Sequence, residues 1–427
     1  PYSGKLVEQS LDIVRAELDN GCTLLVRKEP TPILALRAVA LGGLRWEKAA
    51  TSGLSNLYAS TWGSATENYT EEALAKRTPL LGGGISTFTG RNTLGIRAEF
   101  VQEKSAEGLD LVCETLLRSS FSEKLLNRER ESVLERIQNR SDHPASVAFE
   151  EFARQLYPTH PFGFRFLGSE ETLQALDVQS LVDFGDRFST PDKMVISVIS
   201  GLDPQIIIDR LAGQLATSTG PVIGEAPPLE GPLSEAIFRE IGSQKQQSHV
   251  IIGGRGTTMF DRDKYVFEVL TTILSGQSGR LFLDLRDKQS LAYSVSASSV
   301  EALDPGYIYT YMATSPDKVG QAISGLRGHL DRLCQDLVEN EEIGRAKRYL
   351  VGTRHIDLQR GGARAMLMAL GERVGMGYDH FIRYSKEVES VTTEDIRRVA
   401  QLYLDPKKLV EVVVGPNGQQ SATGNMP

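Results

Sequence analysis

The sequence has no apolar run approaching the roughly 20 residues of a membrane span, and no charged segment followed by an apolar stretch that would mark a signal peptide. A soluble globular chain without a membrane span is expected. No sustained Lys/Arg run occurs either, and the formal net charge is −8. Nucleic acid and anionic membrane are thereby excluded as main partners. The only three cysteines, Cys22, Cys113 and Cys334, lack C-x-x-C spacing, which excludes a disulfide framework and a thiolate metal site and predicts core thiols. So few cysteines leave the compartment open, an extracytoplasmic or periplasmic one included. The sequence begins at Pro1, read as a processed or truncated start.

Familiar catalytic patterns are missing too. Among the six histidines, His143, His160, His249, His329, His355 and His380, no two are three or four residues apart, so no helical pair of imidazole ligands exists. Gly276-Gln277-Ser278-Gly279-Arg280 comes nearest to a G-x-S-x-G elbow and lacks the last glycine. Gly254-Arg255-Gly256 is an incomplete dinucleotide fingerprint, with Met259 where the third glycine belongs. Gly82-Gly83-Gly84 lacks the lysine of a phosphate loop and precedes a strand pattern, so close backbone packing accounts for it better.

What is present is size, apolar content and a repeat. A chain of 427 residues that is 40% hydrophobic can build two or three cores. Leu176, Leu181, Phe184, Phe188, Pro191, Val195 and Val198 recur 215 residues later as Val391, Ile396, Val399, Tyr403, Pro406, Val410 and Val413. Each copy predicts an amphipathic helix, a proline that ends it and a β-branched strand. Ala216 to Pro232 is rich in Gly and Pro without periodicity, so it reads as a linker between domains at 1–215 and 233–427. In the first half, strands are expected in LDIVRAEL, CTLLVRKE and ILALRAVAL, with a hairpin at Asp19-Asn20-Gly21. Helical patterns follow over 53–60, 71–81, 102–117 and 122–140; the second half repeats the plan with a strand over 249–253 and helices over 265–274 and 316–337. Strands and helices are segregated rather than alternating, which is α+β: two similar domains in tandem, each a mostly antiparallel sheet with helices on one face.

One stretch carries chemistry of its own. In LSGQSGRLFLDLRDKQSLAYSV, a Gly/Ser turn opens into a helix-like run ending at Arg286, and Tyr293 follows at the head of an alternating segment. The spacing lets a guanidinium and a phenol converge on one bound backbone; it equally suits a helix-end cation and an ordinary strand aromatic.

Six segments in order resemble the pitrilysin/insulinase family of zinc metallopeptidases, with its mitochondrial processing-peptidase and respiratory core-protein relatives. They are LDNGCTLLV, GGLRWEKAATSGLSNL, GGGISTFTGRNT, YPTHPFGFRFLGSEETLQALDVQSLVDF, PDKMVISVISG and GQSGRLFLDLRDKQSLAYSV. Such peptidases use H-x-x-E-H on a helix, two His binding zinc and the Glu activating its water, with a Glu ligand from a later helix. Asn56, Ala59 and Ser60 stand at the His, Glu and His places here, and Arg136 at the later Glu. Glu129 matches the family's supporting carboxylate, and His160 lies in a family loop in which a structural role is expected. The resemblance therefore implies an inactive member with no metal and no cofactor of its own. Arg286 and Tyr293 match the family's substrate-binding Arg and Tyr. The expected function is that of a non-catalytic, peptide-binding subunit, or C-terminal half, of a two-part zinc protease. It would form a heterodimer with a homologous H-x-x-E-H subunit or upstream half that holds the zinc, and a homodimer when isolated. The alternative is a structural assembly protein like the respiratory core subunits.

Overall fold

The computed structural model describes residues 5–10 and 12–416; Pro1 lies outside them. It holds two sheets. The first contains β1 (Lys5–Ser10), β2 (Ile13–Glu17), β3 (Thr23–Lys28), β4 (Ile33–Leu41), β5 (Gly84–Thr89), β6 (Thr93–Val101) and β7 (Met194–Ser200), in the order β1-β2-β3-β7-β4-β6-β5. The second contains β8 (Ile237–Gly242), β9 (Ser248–Arg255), β10 (Ser294–Val300), β11 (Tyr307–Thr314) and β12 (Val410–Gly415), in the order β10-β11-β9-β12-β8. Each has one parallel pair, β3 with β7 and β12 with β8, and is otherwise antiparallel. The α+β plan expected from the sequence is present in both.

The repeat extends well beyond its helix-strand signature. The helices Val178–Phe188 and Thr393–Tyr403 both begin with a capping box, at Asp177 and Thr392, and both lead through a proline-started 3-10 turn into a strand. Shifting the first copy by 215 residues lays β3, β4, β5, β6 and β7 on β8, β9, β10, β11 and β12 to within about five residues, and the strand order is preserved. Among the described strands, the β1–β2 extension has no counterpart. Gly21, with φ of 93°, makes the β2–β3 turn where Asp19-Asn20-Gly21 predicted a hairpin.

The compact units are not the halves 1–215 and 233–427. One comprises residues up to 135, 165–227 and 355–383; the other comprises 136–164, 228–354 and 384 onward. The halves have exchanged equivalent helices, and side-chain geometry gives the reason. Every residue of β7 is buried, so its sheet needs cover on both faces. On one face Phe100 packs on Gly108 of the helix Ser105–Leu117, from the same half. On the other, Leu25, Val39, Val195 and Ile199 pack with Ala365, Met368 and Ala369 of the helix Gly361–Arg373, from the second half. In the second unit the helices Asp263–Leu274, Val319–Gln335 and Thr393–Tyr403 cover Val250, Ile252 and Met312. Its opposite face, with Ile251, Val410, Val412 and Val414, receives Ala148, Phe152 and Leu156 of Pro144–Leu156, from the first half. Residues 216–234 form no helix or strand, and the boundary at Pro227 and Pro228 falls inside the expected linker.

Met368 is fully buried and Phe152 nearly so. Replacing either by alanine is expected to lower the unfolding free energy by about 2–5 kcal/mol in denaturant titration. A loss below about 1 kcal/mol at both would contradict the cover assigned to the exchanged helices.

Candidate functional site

The helix Leu54–Thr61 begins at Gly53, which holds φ of 93° and touches the Leu167 carbonyl so closely that a side chain would not fit. Its first turn is capped from outside. The carboxylate of Glu47 accepts from the backbone N–H of Gly53 and Ser55 at 2.8 Å each and from the Ser55 hydroxyl at 2.5 Å. Burial pushes this carboxyl up to about 7, against the lowering effect of those hydrogen bonds.

Three of the degenerate positions come together on this helix. Asn56, Ala59 and Ser60 line one depression of about 440 Å³ with Ser86, Thr87 and Phe88 of β5, the edge strand of the first sheet. Ser60 Oγ donates to the Asn56 carbonyl at 3.1 Å, and Thr87 Oγ1 donates to the Ala59 carbonyl at 2.5 Å. The donor set does not fit zinc: an amide, a methyl group and a hydroxyl replace two imidazoles and a carboxylate, and the depression has no acidic lining residue. Among the described residues no group of three or more His, Cys, Asp or Glu side chains could hold a metal ion. Arg136 is exposed on the helix Glu123–Ser141 and belongs to the other compact unit. Glu129, on the same helix, pairs with Arg128 at 2.8 Å.

Arg286 and Tyr293 occupy one continuous feature of the second unit. Gly276, at φ of 82°, and Gly279, whose missing side chain lets the Ser275 carbonyl approach, turn the chain into a run that begins at Arg280. Residues Phe282–Lys288 then form a π-helix, so the helical run continues past Arg286 rather than ending there. Leu281 and Leu285 bury one side of it. Arg280 clamps Glu342 through two bonds of 2.8 and 2.7 Å. Asp284 accepts from His329 at 2.9 Å and from Arg332 at 3.2 Å. Burial, reinforced by Arg332, pushes His329 down to about 4, so at neutral pH an uncharged imidazole donates to Asp284. Against this anchored side, Arg286 is exposed, its guanidinium 4.8 Å from the Phe282 ring centre. Tyr293 donates its backbone N–H to Ala313 at 2.9 Å and leaves its ring 61% exposed. Neither polar end has a hydrogen-bond partner among the described residues.

His160 is structural. Its Nδ1 accepts from the Phe162 N–H at 3.1 Å, which leaves Nε2 to donate to buried Asp304 at 3.0 Å. The residues that sequence reasoning missed are the supports, Glu47, Asp284 and His329. Glu47 lies six residues ahead of the cap position, outside any local capping rule.

Glu47 also gives a pH dependence. A carboxyl that titrates near 7 when folded and near about 4.3 when unfolded binds its proton more tightly in the folded chain. Its contribution to stability therefore declines as pH rises through that window and levels off above 7. Glu301, also pushed up to about 7 chiefly by burial, acts with the same sign. The melting temperature of Glu47→Gln should fall less steeply between pH 5 and 7 than that of the parent, without losing the slope entirely; equal slopes would contradict the assignment.

Comparisons with known proteins agree with this layout. The family model described as insulinase (peptidase family M16) matches residues 23–169, and that described as the peptidase M16 inactive domain matches residues 175–350. An uncharacterized zinc protease of Bacillus subtilis is 25% identical, covering 97% of this chain and all of that protein. Another from Rickettsia bellii is 23% identical, covering 94% of this chain and 97% of that one. A protease from Helicobacter pylori shares the fold with a TM-score of 0.90 at 17% identity, over 95% of this chain and 99% of that one. A peptidase M16 inactive domain from Pseudomonas fluorescens does so at 0.89 and 17%, over 96% and 99%. With both halves matched in order, and with Asn56, Ala59 and Ser60 where the zinc motif would stand, the chain belongs to the insulinase family, peptidase family M16, as a member without the H-x-x-E-H motif.

Proposed function

We propose that this chain is a non-catalytic subunit that binds peptide and completes a peptide chamber with a homologous, zinc-bearing partner. The observation that carries the reading is a pair of exposed polar groups without a hydrogen-bond partner among the described residues: Arg286, on a run fixed by Arg280 and Asp284, and Tyr293, at the head of β10. Fixing the backbone beneath a group that has no internal partner costs conformational freedom, and an external ligand offsets that cost. Arg286 supplies a rigid, always-charged fork suited to peptide carbonyl or carboxylate oxygens, and Tyr293 supplies one hydroxyl donor for an oxygen that gains charge. The family models, one of them for an inactive domain, support the non-catalytic half of the reading.

Purified alone, the chain is expected to hold no stoichiometric zinc and to cut no peptide, because Asn56, Ala59 and Ser60 offer neither the ligands nor the base. One equivalent of zinc by elemental analysis, or cleavage abolished by a chelator in a contaminant-free preparation, would overturn this.

With a catalytic partner, Tyr293→Phe should reduce kcat/KM by roughly 30-fold to 1,000-fold, the loss of one hydrogen bond worth about 2–4 kcal/mol in the transition state. Assembly, followed by size-exclusion chromatography, should be unchanged, since the contact is to peptide. Full activity in a normally assembled complex would remove Tyr293 from the site and favour the structural-assembly reading.

A further inference from the structure

We propose that the first unit carries a second site, independent of Arg286 and Tyr293, that binds a small oxyanion in the cavity where the exchanged helix Gly361–Arg373 begins. The cavity has a volume of about 970 Å³ and is lined by four arginines, Arg37, Arg97, Arg360 and Arg364, against two glutamates, Glu29 and Glu99. In a protein of net charge −8, such a concentration of cations is a local reversal of sign.

The two carboxylates are already engaged. Glu99 accepts from Arg37 at 2.5 Å, while Glu29 pairs with Arg364 and, at 3.0 Å, with Arg27. Arg97 lies over the Phe88 ring at 4.7 Å, and neither it nor Arg360 meets a carboxylate among the described residues. Strand register makes this costly. Arg37 on β4 and Arg97 on β6 are direct cross-strand partners, so two like charges stand opposite one another on the same face. The helix adds to the imbalance. Its first turn contains no acidic residue, its N-cap is Arg360 with no side-chain cap, and its first backbone N–H groups sit at the positive end of the helix dipole. The Arg37 guanidinium and the Glu99 carboxylate reach the helix start, lying beside Gly362 where a Cβ would project. Arg364 Nε is buried without a hydrogen-bond partner among the described residues, while its terminal nitrogens hold Glu29 and the Leu358 carbonyl.

An oxyanion placed among these guanidiniums and beside the helix start would accept charge-assisted hydrogen bonds from Arg97 and Arg360, whose charges no carboxylate among the described residues offsets. The fork geometry of arginine suits phosphate and carboxylate alike. The volume is at the upper end of small-ligand sites, so it holds a phosphorylated or multiply carboxylated small molecule rather than a bare halide.

Calorimetric titration of the full chain with inorganic phosphate and, separately, with citrate at fixed ionic strength tests this. Saturable binding of phosphate alone identifies a phosphoryl ligand, of citrate alone a carboxylate ligand, and of both an oxyanion site of broad selectivity. In each case the double variant Arg97→Gln, Arg360→Gln should weaken binding by about tenfold or more. Both side chains are exposed, so the variant should fold, which its melting curve checks. Arg239→Gln, which removes an exposed charge on β8 of the second unit, should change nothing. Absence of saturable binding of either anion at millimolar concentration overturns the proposal, as does undiminished binding in a folded double variant.

Discussion

A sheet whose strands are apolar on both faces must be covered twice, and this chain meets that demand by exchange. Each half folds its own helices onto one face and sends a single further helix, Pro144–Leu156 or Gly361–Arg373, to the other half's sheet. The rest of the architecture derives from that requirement. The long helices Glu123–Ser141 and Asn340–Asp357 lead into the exchanged segments, and each crosses a unit boundary. The arginine-lined cavity exists because an exchanged helix begins over charged strand residues instead of over an apolar floor.

The two candidate sites share a mode of construction. In each, a short helix is fixed by polar side chains from outside it: Glu47 at the start of Leu54–Thr61, and His329 with Arg332 on Asp284. Asn56, Ala59 and Ser60 share a face of a helix whose first turn is capped by Glu47, so its scaffold does not depend on the identity of those three side chains.

Much of this was legible in the sequence because it depends on local patterning. The amphipathic helix followed by proline and strand, twice at one spacing, revealed the duplication, and Asp19-Asn20-Gly21 marked a hairpin through the backbone freedom of glycine. Helical geometry alone puts positions 56, 59 and 60 on one face. The exchange was not legible, because an apolar stripe such as Ala148, Phe152 and Leu156 states that a helix is buried and not which sheet buries it. MVISVIS, apolar at five of seven positions, reads only as a β-branched strand, and its cover on both faces comes from the structure. The π-helix under Arg286 has no signature of its own in an otherwise ordinary helical pattern.

The two copies differ in how they treat one boundary of the sheet. In the first, the strand β3 is shielded by the added pair β1 and β2; its counterpart β8 ends the second sheet with no further strand beside it among the described residues. A terminal strand is a template for uncontrolled sheet growth, and β8 carries Arg239 and Glu240 at its middle, a charge placement that discourages another chain from docking there. The added pair moves the terminal position of the first sheet from β3 out to β1, whereas the second sheet ends directly on a strand of the duplicated core, so there the charges at its middle must discourage further pairing.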